Sequence, residues 1–81
     1  GIDADALARI EAALDADRAV AAVDRQRWGR EGEATLCATL ASDAAARTLF
    51  DRLRNLLPAT PRGPISLETR DGRMARAPAR L

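Results

Sequence analysis

Apolar residues recur at helical spacing in two parts of the chain and at alternate positions in the segments between and after them. Leu7, Ile10 and Leu14 fall at i, i+3 and i+7, which predicts a helix over residues 3–17 with one apolar stripe. Asp3 or Asp5 can cap its start, where a carboxylate also suits the positive end of the helix dipole. The Asp15-Ala16-Asp17 stretch reads as its exit. Residues 18–28 read as a strand. Val20 and Val23 would fall on opposite faces of a regular strand, so a bulge or a late start is expected. Gly29-Arg30-Glu31-Gly32 suits a hairpin loop. Over residues 33–41, Ala34, Leu36, Ala38 and Leu40 alternate with Thr35, Cys37 and Thr39, the pattern of a half-buried antiparallel strand.

Ser42 then stands as an N-cap, with Asp43 in the first turn of a helix over residues 43–57. Ala46, Leu49, Phe50, Leu53, Leu56 and Leu57 make a wide stripe. Asp51 is spaced to pair with Arg47 or Arg54. Pro58 stops the helix and opens an extended connector to Pro64. Residues 65–70 form a short strand with Ile65, Leu67 and Thr69 on one face. Asp71-Gly72 is the signal of a two-residue type I′ hairpin. Residues 73–81 return with Ala75, Ala77, Ala79 and Leu81 on one face. Pro78 would remove a ladder hydrogen bond from a central strand.

The order is α-β-β-α-β-β, and residues 3–41 and 42–81 repeat one pattern of capped helix, strand, glycine turn and strand. The fold class expected is α+β, with two helices on one face of a four-stranded antiparallel sheet. This is a circularly permuted ferredoxin-like two-layer sandwich, in which the last strand lies inside the sheet and residues 18–28 and 65–70 form its edges. At 81 residues the chain is one domain that buries about 60–65% of its unfolded surface.

Composition removes several chemistries. There is no histidine and one cysteine, which excludes a Ser-His-Asp triad, a histidine-ligated metal and a disulfide within the chain. Cys37 has no base partner and reads as a small filler. The acids Asp15, Asp17, Asp24, Glu31 and Glu33 lack the loop spacing of a hard-metal site, and Gly29 and Gly32 belong to no phosphate loop. No enzyme activity, metal or cofactor is expected. All 13 basic residues are arginine and 19 residues are alanine, which codon bias in a GC-rich bacterial genome produces.

The net charge is +1, but it is unevenly spread. Residues 1–41 carry five arginines and eight acids, whereas residues 42–81 carry eight arginines and four acids. Arg70, Arg73, Arg76 and Arg80 crowd the last hairpin. An RNA-binding sheet would use such arginines together with stacking aromatics on its central strands. The only aromatics are Trp28 and Phe50, which argues against nucleic acid. Attraction between acidic and basic halves of neighbouring copies instead favours assembly. Trp28 ends an edge strand, and its residue type is enriched at interface hot spots. Val20, Val23, Arg25, Arg27 and Trp28 are therefore the candidate interface, through strand-edge pairing with another chain.

The α-β-β-α-β-β order, the two-halves pattern and the closing hairpin from Ile65 to Leu81 resemble the periplasmic domains of type II secretion inner-membrane platform proteins, the L and M components, and of the related type IV pilus platform proteins. That resemblance implies a non-enzymatic scaffold. It would pair with itself or with a homologous platform protein in the periplasm, and an upstream transmembrane segment would tether it. Gly1-Ile2-Asp3 lacks an initiator methionine, and the domain is expected to be excised from such a longer protein. The order is also similar to the ring-building domains of other secretion systems. It is similar too to the cytoplasmic domains of cation-diffusion transporters, whose metal-binding histidines this chain lacks. The alternative functions are a ring-building domain or an RNA-binding module using the basic C-terminal hairpin.

Overall fold

The computed structural model describes residues 1–79, so Arg80 and Leu81 of the expected closing strand lie outside the described residues. The elements are α1 (Ala4–Ala16), β1 (Val20–Trp28), β2 (Glu33–Leu40), α2 (Asp43–Arg54), β3 (Ile65–Glu68) and β4 (Met74–Ala77). This is an α+β fold with two helices and two two-stranded antiparallel sheets, β1-β2 and β3-β4.

Both helices start at the residues that can accept from their free N–H groups. Asp3 takes the Ala6 N–H at 3.0 Å, and the Ser42 hydroxyl takes that of Ala45 at 3.1 Å. α2 ends at Arg54 rather than at residue 57, because the Leu56 and Leu57 N–H groups turn back to Leu53 and Arg54 three residues earlier. The helix stripes meet through Ile10 and Leu14 of α1 and Leu49 and Leu53 of α2. Asp17, just past α1, ties the layer together by accepting the Ala19 N–H and an Arg52 N–H, at 2.8 and 3.2 Å.

The first hairpin carries the irregularity that its valines require. The register shifts between Val20 and Ala22, so Val20 opposes Leu40 and Val23 opposes Ala38. Both valines therefore share the helix-facing side with Leu36, and all three pack against the core.

The second hairpin differs from the two-residue turn expected. Glu68 opposes Met74, Thr69 accepts the Gly72 N–H, and Gly72 takes φ 94 while Asp71 does not adopt positive φ. The loop is thus three residues, Arg70–Gly72, with glycine in the left-handed position. A two-residue loop would set Leu67 opposite Arg76. The longer loop sets Ile65 against Ala77 and Leu67 against Ala75, so apolar faces coincide and outweigh the local turn signal.

The sheet layer is where the structure is open. A single sheet with the last strand inside requires β4 to pair with β2, and among the described residues β4 pairs only with β3. β4 is four residues long and stops at Ala77, before Pro78.

Candidate interaction surfaces

Among the described residues each sheet pairs only internally, so every strand leaves one edge unpaired: those of β1 and β4 face outward, and those of β2 and β3 face each other. At one end, the N-terminal residues sit beside the starts of both β2 and β3. Gly1 lies against Glu31, and the Arg62 N–H donates to Asp3 at 3.1 Å. At the other end, Arg70, just past β3, lies 3.7 Å from Asp43, just past β2. The two strands therefore begin together and end together, and they run parallel.

Between them lies a cavity of about 1040 Å3. All eight residues of β2 and all four of β3 line it, those on both faces of each strand included. That is the signature of strand edges, not strand faces, looking into the space. Leu7, Ile10 and Leu14 of α1 and Leu49, Phe50 and Leu53 of α2 supply its apolar floor. The rim is acidic, with Asp3, Glu33, Asp43, Glu68 and Asp71 against the single arginine Arg70.

Burial reports the same gap. The buried hydrophobic residues are Ala6, Ile10 and Leu14 of α1, Leu49, Phe50 and Leu53 of α2, and Ala77 of β4. Leu36 and Leu40 of β2 and Ile65 and Leu67 of β3 face the core but are only half-buried. The chain exposes 5843 Å2, against about 4700 Å2 for a folded monomer of its mass.

The candidate interface residues of β1 divide between two faces. Val20 and Val23 are half-buried against the core. Arg25 lies opposite Leu36 and reaches α1, with Glu11 at 3.3 Å and Asp15 at 2.8 Å. Those carboxylates hold its guanidinium above the usual pKa. Arg27 is opposite Ala34 on the same side and is exposed. Trp28 opposes Glu33 at the strand's end, is 57% exposed, and donates its indole N–H to the Thr35 hydroxyl at 3.1 Å on the outer face. The interface residues thus share one strand but not one surface.

The candidate acids are dispersed and individually engaged. Asp15 binds Arg25, Asp17 binds Arg52, Asp24 accepts from Gln26, and Glu33 accepts the Glu31 N–H. Among the described residues no three His, Cys, Asp or Glu side chains gather as a metal site would need. Cys37 is exposed on the Thr35/Thr39 side of β2. Arg73 lies 4.0 Å from Asp51, and the last hairpin carries no aromatic residue. Among the described residues no helix is long and apolar enough to cross a membrane. No protein-family model, curated protein or solved structure matches the chain.

Proposed function

We propose that the domain is a non-enzymatic interaction and oligomerisation module of a bacterial envelope assembly platform, of the kind that builds secretion or pilus machines. Its partner is a second copy or a homologous platform protein. The observation that carries this reading is Trp28, 57% exposed at the end of the nine-residue β1, whose outer edge is unpaired. A large exposed aromatic on a strand that keeps one edge unpaired supplies both an anchor and a row of backbone hydrogen-bonding groups. The finer fold reading belongs with it. Both hairpins are taken as parts of one four-stranded, ferredoxin-like layer over the two helices, but with the inner place between β2 and β3 not taken by β4. Location in the periplasm, with a membrane tether outside residues 1–81, is part of the same proposal and rests on the resemblance of element order.

The test is sedimentation equilibrium of the chain over a wide concentration range beside Trp28→Ala. The expected result is a concentration-dependent dimer that the substitution weakens by about tenfold or more. A strict monomer at high concentration would remove self-association through this edge.

A further inference from the structure

We propose that the cleft between β2 and β3 is a slot for one extended strand of a second protein, which enters by β-augmentation and completes the sheet as β1-β2-strand-β3-β4. The inference rests on the reading of the domain as an interaction module and names the partner's chemistry. Four observations carry it. First, β2 and β3 run parallel, joined by the α2 crossover, and offer each other no backbone hydrogen bond. A strand between two parallel strands can run antiparallel to both and satisfy both rows of N–H and C=O groups, which is the split β-α-β arrangement.

Second, the floor of the cleft is apolar and the strand residues above it are half-wet. Leu36, Leu40, Ile65 and Leu67 flank the space that inward-pointing side chains of the missing strand would occupy. The occupant therefore carries apolar side chains at alternate positions, about three over a strand of about six residues. Third, the cleft runs the full length of β2 and of β3, a shape that suits an extended strand and not a compact small ligand.

Fourth, the rim selects charge. It bears five acids and one arginine in a chain whose net charge is +1. Glu68 is exposed at the end of β3, and no ion pair of its own occupies it among the described residues. The partner strand therefore carries arginine or lysine at its ends, where opposite charge steers encounter and fixes register.

The probe is an eight-residue peptide of alternating valine and threonine with arginine at both ends, added to the whole 81-residue chain. Controls are the same residues with valines contiguous, and the same peptide with glutamate at both ends. Amide exchange and titration calorimetry report binding. The expected result is saturable binding of the alternating peptide alone, with at least tenfold slower exchange at the β2 and β3 amides that point away from β1 and β4. Glu68→Arg should weaken the arginine-ended peptide about fivefold and favour the glutamate-ended one. Because Glu68 is exposed, this variant folds, and its amide spectrum checks that.

No binding to the folded chain would overturn the proposal. So would slowed exchange confined to the outer edges of β1 or β4, or slowed exchange at β2 and β3 in peptide-free dimers, which would make a second copy the occupant. Sedimentation of the peptide-free protein reads the assembly proposal separately. A Trp28-dependent dimer that ignores the peptide keeps that reading and removes this one.

Discussion

Arg25 on β1 holds Asp15 on α1 at 2.8 Å, with Glu11 one turn earlier at 3.3 Å. The pair spans two elements that are otherwise joined mainly through Val20 and Val23 against the helix stripe. Both partners reach solvent, so attraction between them is modest and sensitive to salt. Arg25→Ala should lower Tm by about 2 °C in dilute buffer. In 1 M NaCl thermal melts of the two proteins should converge.

The Asp3 carboxylate accepts N–H groups from Ala6 and Arg62, and these hold its pKa below the ordinary 3.8. A depressed pKa means that the folded chain binds the proton more weakly than the unfolded one. The stability it contributes is therefore complete above pH 3.8 and is lost as the pH falls through the lower folded value. Asp71, held down by the Thr69 hydroxyl, acts in the same direction. Melts from pH 6 to pH 2 should show a smaller acid-induced drop for Asp3→Asn than for the parent. Asparagine keeps the cap but cannot titrate there.

Packing should differ sharply between the two layers. Leu53 is buried in the helix layer, whereas Leu67 of β3 is half-buried beside the cleft. Leu53→Ala should cost about 3 kcal/mol and Leu67→Ala about 1 kcal/mol in urea unfolding. Equal losses would mean that the sheet layer is as closely packed as the helices.

Gly72 takes φ 94 with open space where a Cβ would stand, so its substitution meets backbone strain and no clash. Gly72→Ala should cost about 1 kcal/mol, and Gly72→Asn should recover part of it, since asparagine enters the left-handed region more readily. Comparable losses for both would show that the second hairpin does not use the three-residue loop.

The sequence makes individual elements and their faces visible because side-chain period and caps are local. The stripe through Ile10 and Leu14 and the cap at Ser42 both stand where spacing puts them. The bulge after Val20 was legible too, because two valines three apart cannot otherwise share a face. The second turn was misread from its own residues. Asp71-Gly72 favours a tight turn, yet the loop is set by the apolar match of Leu67 with Ala75 across the hairpin. Sheet order was the least legible, since alternation says which way a side chain points and nothing about which backbone lies alongside. The β2–β3 cleft follows from that. Its walls are backbone edges, and an edge leaves no mark on residue type. Trp28 was visible as an anchor, but not the division of its strand between two faces, which depends on the helix acids that draw Arg25 inward.

The half-wet inner faces of β2 and β3 also bear on calorimetry. Leu36, Leu40, Ile65 and Leu67 keep much of their hydration in the folded chain, so unfolding adds less new apolar hydration than an 81-residue domain ordinarily does. Its heat-capacity increment should fall below the usual per-residue value, and the urea slope should be correspondingly shallow. The stability curve becomes flat, with a broad thermal transition and weak cold sensitivity.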